Sequence, residues 1–256
     1  MSFKTLVRRR RTWFIAVPVL ILLAAVVGPW VYINFIEGDP PPKLTFADIS
    51  TTTAAAASVV DGSTASTAAS TTTGATAASS TGTGIDGTWN VAPGGQAGYR
   101  VPETLFGQST EAVGRTSDVS GLMTIAGTSV TDAKLEVDLT TVASDQAQRD
   151  NQFRTRIMNV STYPTATFDL TSPIDIGSVP ADLAEVQLKG TGDLTMHGVT
   201  KSVTFDLVAR RNGANIEVTG SLPVTFADWG IPNPSFGPAS VGDTGTMEFA
   251  VVFSPA

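Results

Sequence analysis

From Val186 to Ala209 apolar and polar residues alternate almost without interruption. Val186, Leu188, Gly190, Gly192, Leu194 and Met196 fall on one face, and Gln187, Lys189, Thr191, Asp193 and Thr195 on the other. That period of two belongs to a strand with one dry and one wet face. Val203, Phe205, Leu207 and Ala209, set against Ser202, Thr204, Asp206 and Val208, repeat it. Between the two runs, His197-Gly198-Val199-Thr200-Lys201 reads as a hairpin loop, with Gly198 supplying a positive φ. Further strands are expected at Thr88 to Val91, Ala97 to Val101, Val119 to Ile125, Ala133 to Leu139, Thr165 to Leu170, Asn215 to Phe226 and Thr246 to Phe253. One helix is expected from Ser144 to Met158, with Ser144 as cap, Asp145 complementing the dipole, and Arg149, Phe153 and Ile157 on one face. So many strands with one helix predict a closed antiparallel barrel, which leaves no exposed sheet edge.

Ahead of this region the chain changes character twice. Lys4, Arg8, Arg9, Arg10 and Arg11 precede a run from Trp13 to Ile36 that holds no charged side chain. As a helix those residues would span roughly 36 Å, enough for a hydrocarbon core of about 30 Å. Leu23-Ala24-Ala25 offers a site for cleavage, but the apolar character continues through Val31, Tyr32, Ile33 and Phe35, so the run reads as an uncleaved signal anchor. The arginines place residues 1–12 in the cytoplasm by the positive-inside rule. The expectation is a single-pass protein of the cell membrane, with its C-terminal domain outside the cytoplasm.

Residues 37–86 then form a linker rich in Pro, Thr, Ser and Ala. It opens on Pro40, Pro41 and Pro42, and in Ser50 to Gly84, 32 of 35 residues are Ser, Thr, Ala or Gly. Such a composition cannot bury a core and reads as a disordered tether with a root-mean-square span of about 40 Å. The folded domain is expected from about 87 to 256.

With no cysteine and one histidine the chain has no disulfide framework and no expected metal site. The formal charge is −7, which argues against a nucleic-acid partner. Ser161 and Ser202 lack a nucleophile-elbow context and no Gly-rich phosphate cradle precedes a helix, so an enzyme is not expected. His197 reads as a hairpin residue bonding its own loop backbone.

An eight-stranded barrel is filled by its own side chains or holds one small ligand. Gly190 and Gly192 on the dry face either ease strand curvature or leave a cavity. Trp89, Tyr99, Phe106, Phe153, Phe168, Phe205, Phe226, Trp229 and Phe236 suit an apolar tunnel as a set. Ile157 and Met158 join them at the helix end. Arg149, Arg154 and Arg156 either offer donors to an anionic headgroup or form surface ion pairs, with Asp145 in reach of Arg149.

The segment Leu194-Thr195-Met196-His197-Gly198-Val199-Thr200-Lys201-Ser202-Val203 resembles the signature hairpin of the YceI-like family. Arg149-Asp150, Ile157-Met158, Tyr163-Pro164-Thr165-Ala166-Thr167-Phe168, Asp228-Trp229-Gly230-Ile231 and Val241-Gly242-Asp243 resemble further family segments in the right order. The resemblance covers most of residues 87 to 254. It implies an extended lipocalin-like barrel whose lumen holds a polyprenyl compound, an isoprenoid quinone or a fatty-acid derivative, without chemistry and with no cofactor beyond such a bound lipid or quinone. The chain departs from the family where Ala92-Pro93-Gly94-Gly95-Gln96 replaces a frequent His-Ser pair, and at Ile157-Met158-Asn159.

The expected partners are a long-chain lipid and a bilayer contacted through residues 13–36, with a homodimer left open. The rival expectation is a solid barrel displayed at the surface as an adhesive module.

Overall fold

A computed structural model describes residues 40–49, 84–237 and 239–256, with Val27 alone before them. The basic segment 1–12, the expected anchor apart from Val27, and the Ser/Thr/Ala run 50–83 lie outside the described residues. Among the described residues no helix is long and apolar enough to cross a membrane.

The strands are β1 (Gly87–Leu105), β2 (Gln108–Thr116), β3 (Val119–Ala126), β4 (Ser129–Asp138), β5 (Ala143–Ser144), β6 (Thr165–Ser172), β7 (Ile174–Asp175), β8 (Glu185–Met196), β9 (Val199–Asn212), β10 (Asn215–Thr225), β11 (Ala239–Val241) and β12 (Thr244–Pro255). Every ladder among them is antiparallel. The path β12-β10-β9-β8-β6-β4-β3-β1 closes on itself through β1 and β12, making an eight-stranded barrel. The shorter β5, β7 and β11, together with β2, extend its ends.

β1 organises the closure. Its first residues pair with β3 and its second half with β2, while β12 runs along the other edge. The stretch Ala92 to Gln96, left between two expected strands, is a bulge that shifts the β1–β12 register inside one long strand. The hairpin loop expected over His197 to Lys201 is shorter than read: His197 and Gly198 both take positive φ, 51° and 76°, and pairing resumes at Val199. β2 was not foreseen; Phe106 and Gly107 turn the chain with φ of 50° and 82°.

The helix is α1 (Ala147–Gln152), continued by a widened turn over Phe153–Ile157 in which Met158 N–H donates to Phe153 O at 2.8 Å. It starts later than expected. Gln146 is the cap and lends no side-chain bond, whereas Ser144 Oγ accepts from Gln146 N–H and donates to the Asp150 carboxylate.

One region placed in the tether by composition has a defined position. Residues 40–49 lie on the outer wall of the barrel, where Leu44, Phe46 and Ile49 bury against Ala250 and Val252, with Ala92 and Val208 alongside. Arg100 and Arg115 donate to the carbonyls of Pro41 and Pro42, and the Arg210 guanidinium lies 4.2 Å from the Phe46 ring centroid. Thr45 and Asp48 hold the turn at 46–49, Thr45 N–H and Oγ1 both donating to the Asp48 carboxylate. The segment covers ion pairs of Arg100 with Glu111 and Glu248, and of Arg115 with Glu248. Charges buried in this way need partners on every side.

Candidate functional site

The barrel interior is not filled. Two cavities lie along its axis and share Val137 and Ala166 in their walls, a waist between them.

The far chamber, of about 170 Å³, lies toward the pole formed by the β3–β4 and β9–β10 turns. Ile125, Val130, Ile174, Val186, Ile216 and Phe253 are among its walls. It exists because the inward residues of these strands are apolar and several of them, Ala97, Ala133, Gly190 and Ala209 among them, are small. Gly190 lines it, and there a Cβ would meet Leu207 and Phe205 at 3.3 and 3.4 Å. Gly192 serves a different purpose. A Cβ there would lie 2.5 Å from the Phe168 ring, so this glycine is the seat of an aromatic side chain and not a vacancy. Phe168, Phe205 and Phe249 form an edge-to-face series across the lumen, with centroids 5.4 and 5.8 Å apart.

The mouth chamber, of about 480 Å³, opens at the other pole, under α1 and the widened turn. Tyr99, Phe153, Ile157, Met158 and Phe226 line it, and Phe106 and Phe236 stand half exposed at its rim. Tyr99 stacks on Phe153 at 5.1 Å, and its ring fills the space a side chain at position 114 would take. Burial raises the pKa of its hydroxyl well above the usual tyrosine value, so the group stays neutral. Glu103, Gln146, Gln148, Arg149 and Gln152 give this chamber a polar side, whereas the far one is apolar apart from Thr167, Arg210 and Arg211.

Of the residues expected to line the lumen, Tyr99, Phe106, Arg149, Phe153, Ile157, Met158, Phe226 and Phe236 meet at the mouth chamber, and Phe168 and Phe205 at the far one. Trp89 and Trp229 line neither. Trp89 packs in the far-pole core with Nε1 donating to Ile85 O at 2.9 Å, and Trp229 is buried in the mouth-pole core. Trp229 O lies 3.2 Å from His197 Nδ1, so the histidine bonds across to another loop and not to its own.

The arginines are engaged. Arg149 pairs with Asp145 and, at 3.2 Å, with Glu103. Arg154 donates to Thr140 O and Val142 O. Arg156 bonds Gln152 Oε1 and the carbonyls of Asn233 and Pro234, and stands 5.9 Å from the Phe236 ring.

Glu103 and the three glutamines escaped the sequence reading. Glu103 continues the inward series Tyr99, Val101, Leu105, and an acid on a dry strand face is a visible signal once β1 is carried past Val101. Among the described residues no group of three or more His, Cys, Asp or Glu could hold a metal ion.

Known proteins resemble this architecture. A polyisoprenoid binding domain from Saccharophagus degradans, described as implicated in plant cell wall breakdown, superposes with a TM-score of 0.54 over 66% of this chain and 98% of its own, at 20% identity. In sequence the chain is 32% identical to a UPF0312 protein of Vibrio parahaemolyticus over 128 residues, 46% of this chain and 64% of the relative. A UPF0312 protein of Shewanella denitrificans is 34% identical over 137 residues, 50% of this chain and 68% of the relative. One from Pseudomonas putida is 36% identical over 113 residues, 40% of this chain and 54% of the relative. The chain thus spans between about half and two thirds of these curated relatives. The YceI-like domain matches residues 43–253, most of the chain, and with the closed barrel this establishes that the protein belongs to the YceI-like family.

Proposed function

We propose that the barrel binds a long-chain amphiphile, its apolar tail in the far chamber and its uncharged polar head among the side chains of the mouth. The observation that carries this is the pair of abutting cavities, one of about 170 Å³ lined almost wholly by apolar residues and one of about 480 Å³ with a polar side. A cavity of about 150 Å³ lined by Leu, Ile and Phe stays dry and takes up an apolar ring, so the far chamber suits hydrocarbon. Each buried CH₂ contributes about 0.8 kcal/mol, and a ten-carbon tail therefore about 8 kcal/mol before ordering costs are met. The polyisoprenoid binding of the Saccharophagus relative supports a branched prenyl chain as the tail.

The head is assigned as neutral because the cations at the mouth are engaged. Arg149 sits between Asp145 and Glu103, and the glutamine amides are the polar groups best suited to a carbonyl or hydroxyl. A quinone or a prenyl alcohol fits; a pyrophosphate would meet Glu103. The adhesive alternative required a lumen filled by its own side chains.

Binding without catalysis is the proposed activity, with the barrel held outside the cytoplasm by residues 13–36. The uncharged run and its arginine flank support that location.

The test is native mass spectrometry of the full chain released from a membrane preparation. A stoichiometric neutral prenyl species is the expected result, and displacement by a neutral-headed probe should exceed that by an anionic probe of equal tail length. A chain that carries no lipid and takes up neither probe refutes the binding, and a preference for the anionic probe refutes the head assignment.

A further inference from the structure

We propose that residues 40–49 hold the barrel against the bilayer with its mouth chamber turned toward the lipid, so that ligand exchanges between membrane and lumen at that surface. The inference rests on the anchoring assigned to residues 13–36 and adds an orientation to it.

The docked segment has a direction. Pro41 and Pro42 reach Arg100 and Arg115, while Phe46 reaches Arg210. Arg100 pairs with Thr246 of β12, and Arg210 lies level with Glu217, which pairs with Val252. From Thr246 to Val252 is roughly 20 Å of strand, running from the mouth half toward the far pole. The chain therefore meets the barrel on the mouth side and travels away from it.

Three residues, 37 to 39, separate the seated segment, which starts at Pro40, from the end of the uncharged run at Ile36. Four residue steps lie between Ile36 and Pro40, a reach of about 14 Å at full extension. The rim at Leu105 lies about 17 Å along β1 from Arg100, at the end of the barrel nearer the first residues of the seated segment. Were the segment undocked, the whole stretch from 37 to 86 would intervene and no face would be favoured. Docked, the segment brings the mouth to the level of the lipid headgroups.

The rim suits that position. Phe106 and Phe236, 49% and 48% exposed, both line the mouth chamber, so apolar surface continues from the outside into the lumen. Exposed phenyl rings bury favourably at the boundary between headgroups and acyl chains. The far pole also exposes Val179 and Leu183, but the docked segment enters from the other side. Electrostatics does not set the orientation, since residues 85 to 256 carry 19 acidic and 10 basic side chains.

The chain has no cysteine, which makes the test direct. Single substitutions Ser109→Cys, beside the mouth turn, and Ala214→Cys, in the β9–β10 turn, both lie at exposed positions. Each full-length variant is labelled with an environment-sensitive dye and reconstituted in phosphatidylcholine vesicles containing a headgroup spin-labelled lipid. Several-fold stronger quenching at position 109 than at 214 is expected, and the double substitution Phe46→Ser, Ile49→Ser should erase the difference while the labelled barrel still floats with the vesicles. Equal quenching, or stronger quenching at 214, in protein that floats overturns the orientation and leaves the anchor standing. Protein that does not float overturns the anchor, and the orientation with it. A difference that persists in the double variant overturns the role of residues 40–49.

Discussion

The two chambers share a waist and differ in almost everything else. The far one is built mainly by strands, from inward-facing Val, Ile, Leu and Phe with Ile85, Ile176 and Pro180 from the flanking loops, and its walls are continuous with a buried core. The mouth one borrows α1, the widened turn over Phe153–Ile157 and the loop carrying Phe236, and mixes aromatic rings with amides and an engaged ion pair. In the far chamber, binding surface and core are the same atoms. At the mouth, strand residues such as Tyr99, Val101 and Met247 share the wall with Gln148, Arg149, Gln152 and Phe236 on elements added to the barrel, and these added groups can vary with little cost to folding.

Removing one phenyl ring at each pole exposes this difference most sharply. Phe253, 3% exposed in the far chamber, should cost about 3–5 kcal/mol on replacement by alanine, read from denaturant unfolding. Equal losses at the two poles would dissolve the distinction. The waist comes next. Ala166→Leu adds bulk between the chambers and should cost roughly 1–3 kcal/mol through overpacking. Its diagnostic effect is on ligand length: short tails that fit the mouth should still bind, and long ones should be excluded. Phe236→Ala, at the exposed rim, should change stability by less than about 0.5 kcal/mol while slowing lipid uptake from vesicles.

The smallest effect lies outside both chambers. Burial raises the pKa of Asp48, but hydrogen bonds from Thr45 and the charge of Arg115 outweigh it and leave the group below the ordinary aspartate value. A depressed carboxylate stabilises above its unfolded pKa of about 3.9 and loses that contribution as pH falls through the folded value. The protection factors of the amides across residues 44–49, which discount the slower intrinsic exchange in acid, should therefore fall as pH is lowered, before either chamber wall responds. A simultaneous loss of protection in β8 and β9 would show that the segment and the barrel unfold as one unit.

What could be read in advance followed the regularity of the local pattern. Val186 to Ala209 alternates so regularly that β8 and β9 are nearly determined by it. β2 escaped because its hairpin turns on Phe106-Gly107, without the Asn-Gly or Asp-Gly signal, and because Gly114 offers no apolar side chain to mark the strand. The lumen set was legible as a group of aromatics, but the assignment of Trp89 and Trp229 to cores, and of Phe168 to the space beside Gly192, depends on long-range register. Residues 44 to 49 carried their own apolar spacing, Leu44, Phe46 and Ile49, which the surrounding Pro, Thr and Ala obscured. No local signal could show that a wall of β12 waits to receive them.

With residues 13–36 taken as the proposed anchor, that outer-wall packing also bears on shedding. In a domain joined to its anchor by a plain stalk, one proteolytic cut in the stalk releases the domain. Here Ile49 and Gly84 both border the barrel, and a cut anywhere from 50 to 83 leaves residues 40–49 seated through Leu44, Phe46, Ile49 and the carbonyls of Pro41 and Pro42. Release then takes a second event, dissociation of the seated segment, so retention after cleavage depends on side-chain packing where a stalk would depend on an intact peptide bond.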